Sequence, residues 1–316
     1  MQRSESEKLI RRATLRQLQI FVTVAELRSY TKAAEYLHLT QPTISMQVRK
    51  LSETIGLPLF EQVNKKLHIS VAGQKVLQAA KDILDRLSYL SDDIMSLKHK
   101  VKGELHIASV SNAKYFMPRL LGIFLQKYPD VIPYLKVTNR SRVIKRMKNG
   151  DMDELFILGK LDDKLAEDYQ FLENKLVVIA NPQHPLATQK RQISLQQLSK
   201  ARFLVRETGS GTRLAVEKLF NQHQLKPNCY MELGSSEAIK QAVMAGLGLS
   251  VLSRNNLKME LEGKHIVELD VAGFPLMRHW YVMHLKNKKL SLVAQTFLDF
   301  LLTEGKKVLL ENIKLV

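Results

Sequence analysis

Cysteine occurs once in these 316 residues, at Cys229, so no internal disulfide can brace the fold. Such usage suits a reducing cytoplasm. Within Asn228-Cys229-Tyr230-Met231-Glu232-Leu233 the residue reads as part of a half-buried strand rather than as a redox sensor. No run approaches the ~18 apolar residues of a membrane span, and Met1 to Arg12 lacks the apolar centre of a signal peptide. A cytoplasmic chain without a membrane partner is the expectation. Catalytic signatures are also missing. His68, His106, His184, His265, His279 and His284 show no HExxH or CxxC spacing for a metal. No GxSxG elbow occurs and no acidic pair stands out. We therefore expect neither an enzyme nor a metal or cofactor site.

Acidic residues are scarce beside basic ones, 31 Asp and Glu against 48 Lys and Arg, which leaves a formal charge of +17. Residues 1–103 carry 17 basic and 10 acidic side chains, and the rest of the chain holds the remaining +10. Such a surplus favours polyanions and speeds their association, although general solubility would use it equally well.

Thr40-Gln41-Pro42-Thr43-Ile44-Ser45-Met46-Gln47-Val48-Arg49-Lys50-Leu51 is the most informative stretch. Ile44, Val48, Leu51 and Ile55 share one helical stripe. Pro42, Met46 and Arg49 face the other way, with Thr43, Ser45 and Lys50 on the shoulders. Thr40 can cap the helix and Pro42 falls in its first turn. An uncovered face of small polar and basic groups suits the DNA major groove, although an ordinary amphipathic surface helix would look similar. Context decides between them. Leu15, Leu18, Phe21, Val22 and Ala25 make a first stripe, and Lys32-Ala33-Ala34-Glu35-Tyr36-Leu37 a second short helix after Ser29-Tyr30-Thr31. Two short helices meeting through alanines, joined by His38-Leu39-Thr40, describe a helix-turn-helix. Leu59–Gln62 and Leu67–Ser70 around Val63-Asn64-Lys65-Lys66 add a hairpin wing, with Lys65 and Lys66 expected on phosphates.

From Gly73 onward neither glycine nor proline appears until Gly103. Val76, Ala80, Ile83, Leu87, Leu90, Ile94, Leu97 and Val101 alternate by four and three, a heptad seam. A helix over about Ala72–Lys100 would run ~43 Å at 1.5 Å per residue. A second copy of the chain is the natural cover for its apolar stripe, and packing on the chain's own C-terminal part is the competing reading. Heptads alone leave the direction of pairing open.

After Lys102-Gly103 the pattern becomes alternating short strands and helices, which predicts an α/β architecture with largely parallel sheets in two lobes. Ligands of such folds sit at carboxyl ends of strands, near helix N-termini. Four places qualify: Ser109-Val110-Ser111-Asn112, Thr138-Asn139-Arg140, Gly209-Ser210-Gly211-Thr212-Arg213 and Gly234-Ser235-Ser236-Glu237. Each could be simple helix capping; together they suggest an anion cradle formed by Ser109, Ser111, Asn112, Asn139, Arg140, Ser210, Gly211, Thr212 and Ser235.

Residues 14–73 resemble the DNA-binding domain of the LysR-type transcriptional regulators. The resemblance rests on Tyr30-Thr31-Lys32-Ala33-Ala34-Glu35, Thr40-Gln41-Pro42-Thr43-Ile44-Ser45, Leu51, Gly56-Leu57-Pro58-Leu59-Phe60 and Ile69-Ser70-Val71-Ala72-Gly73. Gln62 stands where the family usually carries Arg. Ala113-Lys114-Tyr115-Phe116-Met117-Pro118-Arg119-Leu120-Leu121, Gly209 to Arg213, Gly234 to Gly248 and His279-Trp280-Tyr281-Val282 are similar to the carbon-fixation (RuBisCO) operon regulators within that family. Glu154 to Gly159 departs from the usual pattern, with Phe156 in place of Ala.

The resemblance implies an N-terminal all-α winged helix-turn-helix over 13–71, a linker or dimerisation helix over 72–102, and an effector domain over 103–316. That domain would be α/β, two-lobed and periplasmic-binding-protein-like, with lobe 1 at about 103–180 and 265–316 and lobe 2 at about 181–264. It implies antiparallel pairing of the linker, a homodimer that assembles into a homotetramer, and RNA polymerase as a further partner. It also implies a double-stranded DNA target with an interrupted inverted repeat, and a small anionic effector from central carbon metabolism. Thr31, Gln41, Pro42, Thr43, Ser45, Met46, Arg49 and Lys50 are then expected to meet DNA, with Lys65 and Lys66. A solute-binding protein would share the C-terminal fold but needs no helix-turn-helix. A DNA-compacting protein would use the charge but needs no ligand cleft.

Overall fold

The computed structural model describes residues 11–63, 66–97, 100–150, 152–161, 164–189, 191–286 and 288–311. It forms two compact units, Met1–Ile94 and Met95–Val316.

In the first unit three helices, α1 (Leu15–Leu27), α2 (Tyr30–Leu37) and α3 (Gln41–Ile55), come in succession. Each start is capped by a hydroxyl: Thr14 accepts from the amide of Gln17, Ser29 from Lys32 and Thr40 from Thr43. These bonds satisfy donors that lack helical partners. Ala33 and Ala34 bury against Ile20, Val24, Ile44 and Val48, because only a methyl group lets α2 approach both neighbours so closely. The antiparallel strands β1 (Phe60–Val63) and β2 (Lys66–Ile69) form the expected wing, with Phe60 opposite Ile69. Helix α4 (Val71–Leu97) follows at once. Its first turn sits against the wing: Ser70 Oγ donates to the Pro58 carbonyl at 2.6 Å and accepts from the Gly73 amide at 2.9 Å. A Cβ on Gly73 would stand 2.1 Å from the Leu59 carbonyl oxygen, so this contact needs glycine. Val76, Leu77 and Ala80 complete a core with Phe21, Leu51 and Leu59. Farther along, Ile83, Leu87, Leu90 and Ile94 stay between 41 % and 56 % exposed, an apolar stripe left uncovered within this unit.

The second unit is α/β. Its first segment holds β3 (Gly103–Val110), α5 (Met117–Lys127), β4 (Val131–Thr138), α6 (Arg140–Asn149), β5 (Leu155–Gly159) and the long β6 (Ala166–Ala180). Next come α7 (Leu195–Lys200), β7 (Arg202–Arg206), α8 (Gly211–Gln222), β8 (Asn228–Leu233), α9 (Ser236–Met244), β9 (Ser250–Ser253) and α10 (Lys258–Glu262). The chain returns through β10 (Val267–Leu269) and β11 (Leu276–Leu285), and then α11 (Leu292–Phe300), a π-helical turn at Leu301–Gly305 and α12 (Lys306–Glu311).

Strands run in the order β10-β6-β11-β5-β3-β4, with β9 also on β6, while β7 and β8 form a separate pair. Both faces are covered, as the alternation along each strand shows. Leu105 and Ile107 of β3 and Leu155 and Ile157 of β5 join one core with Phe124, Trp280 and Phe297. Their neighbours Ala108, Phe156 and Leu158 join another with Val143, Met147 and Met283. In the other lobe Leu176 and Val178 face Phe203 and Phe220, while Val177 and Ile179 face Ile239 and Leu252. Phe156 is therefore core material under α6, 1 % exposed, where burial of its ring contributes about 1.5–3 kcal/mol.

The expectation of largely parallel sheets needs correction. β3 runs parallel to β4 and β5, and β7 to β8. The two longest strands, β6 and β11, are antiparallel to each other from Leu276–Leu176 to Leu285–Ala166, and β9, β10 and β5 pair with them antiparallel as well. The chain passes from one lobe to the other along β6 and returns along β11, which imposes opposite directions. Hydrophobic alternation carries no information on direction, so the sequence pattern could not reveal it.

Candidate functional site

In the first unit the buried and exposed faces of α3 are set as its apolar stripe predicts. Ile44, Val48 and Leu51 are 4 % exposed or less, which fixes the rotation of α3. Gln41, Pro42, Ser45, Met46, Arg49 and Lys50 are then exposed, and Thr43 is half-buried. Thr43 Oγ1 lies 2.8 Å from Thr40 Oγ1, and Gln47 accepts from Gln17 Nε2 at 3.1 Å. Arg49 Nε contacts Glu53 at 2.9 Å, but its side chain is 81 % exposed, so this pair holds it only weakly. Thr31 is exposed near the start of α2. Lys65 lies outside the described residues, and Lys66 is placed in β2 by its backbone.

In the second unit a cavity of about 40 Å³ lies where the lobes meet, enough for a few waters. Of the nine residues proposed for the cradle it brings together Ser111, Asn112, Asn139, Arg140, Ser210, Gly211 and Thr212. Sequence reasoning missed Arg206, Arg278, Asn174, Gly159 and Trp280, which line it too. Three guanidinium groups thus border one cavity whose lining holds no carboxylate.

Their positions follow from the backbone. Arg140 donates to the carbonyls of Gly159 and Lys160, both at 2.7 Å. Arg278 donates to the Gly211 carbonyl at 2.7 Å, and burial draws its pKa below the ordinary guanidinium value. Arg206 is buried, with Nη1 2.8 Å from Ser236 Oγ and Nε 2.7 Å from a Glu207 oxygen. Ser236 Oγ in turn donates to Asn112 Oδ1 at 2.8 Å. Since Asn112 belongs to the turn after β3 while Arg206 and Ser236 belong to the other lobe, this network spans the cleft. Nearby, the Ser141 amide donates to the Gly209 carbonyl at 3.2 Å. Gly209 has φ +86° and would place a Cβ 2.5 Å from Ser141 Oγ, so glycine permits both the left-handed turn and the approach.

Caps and candidate ligand groups now separate. Asn139 caps α6, accepting from the Arg142 amide at 3.0 Å. Ser235 caps α9 by accepting from the Ala238 amide at 3.1 Å and stands outside the cavity lining. Ser109 is fully buried in β3, with an unpartnered hydroxyl, and is likewise outside it. Ser210, by contrast, precedes α8 without making a side-chain cap, which leaves its hydroxyl and the helix N-terminus at the cavity. Two buried groups also lack partners there: Asn174 Oδ1 and Trp280 Nε1. Arg206 ends β7 and was within reach of the strand-end rule. Asn174 and Arg278 lie mid-strand in β6 and β11, where no turn or glycine marks them. Among the described residues no group of three or more His, Cys, Asp or Glu is arranged to hold a metal, and no helix is long and apolar enough to cross a membrane.

A winged helix-turn-helix and a two-lobed α/β unit with an arginine-bordered cleft, on one chain, are the architecture of a transcription regulator. Residues 15–74 match the model of the bacterial regulatory helix-turn-helix proteins of the lysR family, and residues 98–306 match the LysR substrate binding domain. The chain belongs to the LysR family of transcription regulators. It is 46 % identical over 305 residues to the HTH-type transcriptional activator CmpR of Synechocystis, covering 96 % of this chain and 100 % of that one. It is 44 % identical to a RuBisCO operon transcriptional regulator of Acidithiobacillus ferrooxidans, covering 92 % and 94 %. Among solved structures, the Synechocystis CcmR regulatory domain in complex with 2-PG matches at 46 % identity and a TM-score of 0.62, over 65 % of this chain and 98 % of that one. The relatives are transcription regulators, which agrees with the expected class.

Proposed function

We propose that the chain is a cytoplasmic, non-enzymatic regulator whose interlobe cavity binds a small phosphorylated or carboxylated metabolite. One observation supports this above others: Arg140, Arg206 and Arg278 border the same cavity without an acidic side chain in its lining. Ser111, Asn112, Ser210, Gly211 and Thr212 supply hydroxyls, amides and the N-terminus of α8 around them, a donor set that matches an oxyanion. The likeness to the CcmR domain bound to 2-PG favours a ligand of that kind. Head, linker and lobes are assigned to 13–71, 72–102, 103–180 with 265–316, and 181–264. DNA is met by Thr31, Gln41, Pro42, Thr43, Ser45, Met46, Arg49 and Lys50, with Lys65 and Lys66 on phosphates. The stripe Ile83, Leu87, Leu90 and Ile94 pairs with a second copy, so two recognition helices meet a two-fold DNA site. An effector that prefers one lobe geometry shifts the balance between geometries.

Calorimetric titration of the full-length protein with 2-PG tests the cleft. Binding in the wild type that weakens by at least about tenfold in Arg278→Ala supports the proposal, a loss of the size expected for one charge-assisted bond. Equal affinity in both proteins would overturn it.

A further inference from the structure

The cleft is not the largest concavity of the second unit. A cavity of about 340 Å³ opens beside the same two long strands, lined by β6, β11, the turn after β9 and the start of α12. Strand alternation places it. Asn174 and Arg278 are register partners and line the cleft, whereas the next pair, Glu173 and His279, lines the larger cavity. Successive residues of a strand point to opposite faces, so the two cavities back onto each other across one pair of strands.

Its lining carries Lys175, Arg254 and Lys306 together with the imidazole of His279, against one carboxylate, Glu173. Asn255 adds a side chain whose amide already donates to the Glu173 carbonyl at 3.2 Å. The cations have only weak engagements. Lys175 Nζ lies 3.6 Å from Glu173 with its side chain 43 % exposed, and Arg254 lies 3.1 Å from Glu268 at 59 % exposure. Lys306 is exposed. Exposed pairs of this kind contribute little, so a ligand of higher charge can displace them. Three cations against one carboxylate favour a ligand of more than one negative charge. The volume falls in the range of metabolite pockets.

We propose that this reverse-face cavity is a second binding site, for a phosphate-bearing small molecule of more than one negative charge. Its walls belong to both lobes: Arg254 and Asn255 follow β9, while Lys306 opens α12. A ligand there ties Arg254 and Asn255 of one lobe to Lys306 of the other, and so biases the angle between the lobes and the geometry of the cleft behind them. The two sites are therefore thermodynamically linked, each altering affinity at the other by the same factor.

Inorganic pyrophosphate is the probe, titrated calorimetrically into full-length wild type, Lys175→Ala with Arg254→Ala, Lys306→Gln and Arg278→Ala. The site predicts binding that survives Arg278→Ala, weakens by about tenfold or more in the double variant, and weakens in Lys306→Gln by a smaller factor. It also predicts that pyrophosphate changes 2-PG affinity in the wild type, and that each reverse-face variant needs correspondingly more pyrophosphate for the same change. Absence of pyrophosphate binding, or its loss in Arg278→Ala alone, overturns the assignment. So does unchanged affinity in the reverse-face variants. Should the double variant fail to fold by circular dichroism, Lys306→Gln, on an exposed side chain, decides the matter. Failure of 2-PG to bind would count against the cleft reading only, and would leave the pyrophosphate comparison intact.

Discussion

The Tyr115 hydroxyl donates to Glu237 Oε2 at 3.2 Å and so bridges the two lobes at the edge of the cleft. Behind it the buried Lys240 contacts Glu237 at 2.8 Å and Glu260 at 2.6 Å, with its ammonium 5.1 Å from the Tyr115 ring. Burial alone would lower the pKa of Lys240, yet its bonds to Glu237 and Glu260 carry it well above the ordinary lysine value. Burial raises Tyr115, and the bond from Lys240 holds Glu237 below the ordinary carboxylate value.

The sign of the resulting pH dependence follows from Glu237. A depressed folded-state pKa contributes stability that is complete above the unfolded value, about 4.3 for Glu, and is lost as pH falls through the lowered value. Glu237→Gln should therefore melt below wild type at pH 7, with the gap closing under acid conditions. Thermal midpoints measured across pH 3 to 7, on the order of the carboxylate range, check this; a gap independent of pH would dissociate Glu237 from the lobe contact.

Arg49 carries the one guanidinium of α3, 81 % exposed and paired with Glu53. Arg49→Ala should cost about 1–3 kcal/mol at the cognate site and relax preference there. Binding of cognate and scrambled duplexes at one ionic strength measures it, and unchanged selectivity would remove Arg49 from base reading.

Gly73→Ala would force a methyl carbon onto the Leu59 carbonyl. Overpacking of that kind costs about 1–3 kcal/mol, seen as a lowered denaturation midpoint. A midpoint equal to wild type would mean that α4 can withdraw from the wing at no cost.

Leu87 and Leu90 are 41 % and 56 % exposed on α4. Leu87→Glu with Leu90→Glu should convert the assembly to monomers in sedimentation, since paired charges in an apolar seam cannot be solvated. An unaltered sedimenting mass would place the association surface elsewhere.

Much of this molecule was readable in its residues because the signals were local. Thr40, Pro42 and the Ile44–Val48–Leu51 stripe specify α3 and the face it exposes. Ser111, Asn112, Ser210 and Thr212 could be placed because they follow strand ends. What escaped was non-local. β6 runs from Ala166 to Ala180 and β11 from Leu276 to Leu285, so Asn174 and Arg278 lie inside long strands, away from the strand ends where ligand groups were sought. Their role depends on two strands, about a hundred residues apart in the chain, passing side by side. Ser235 illustrates the opposite error: its sequence context is that of a ligand loop, but its oxygen is already engaged by Ala238.

Trp280 is the only tryptophan in the chain, and it is 2 % exposed, borders the cleft and has no acceptor for its indole N–H. Ultraviolet emission excited at the indole band thus originates from one known spot, the wall against which an effector would rest. Polarity changes there alter the colour and yield of that light. The protein carries its own optical gauge of cleft occupancy, with no label to attach and no competing signal to subtract.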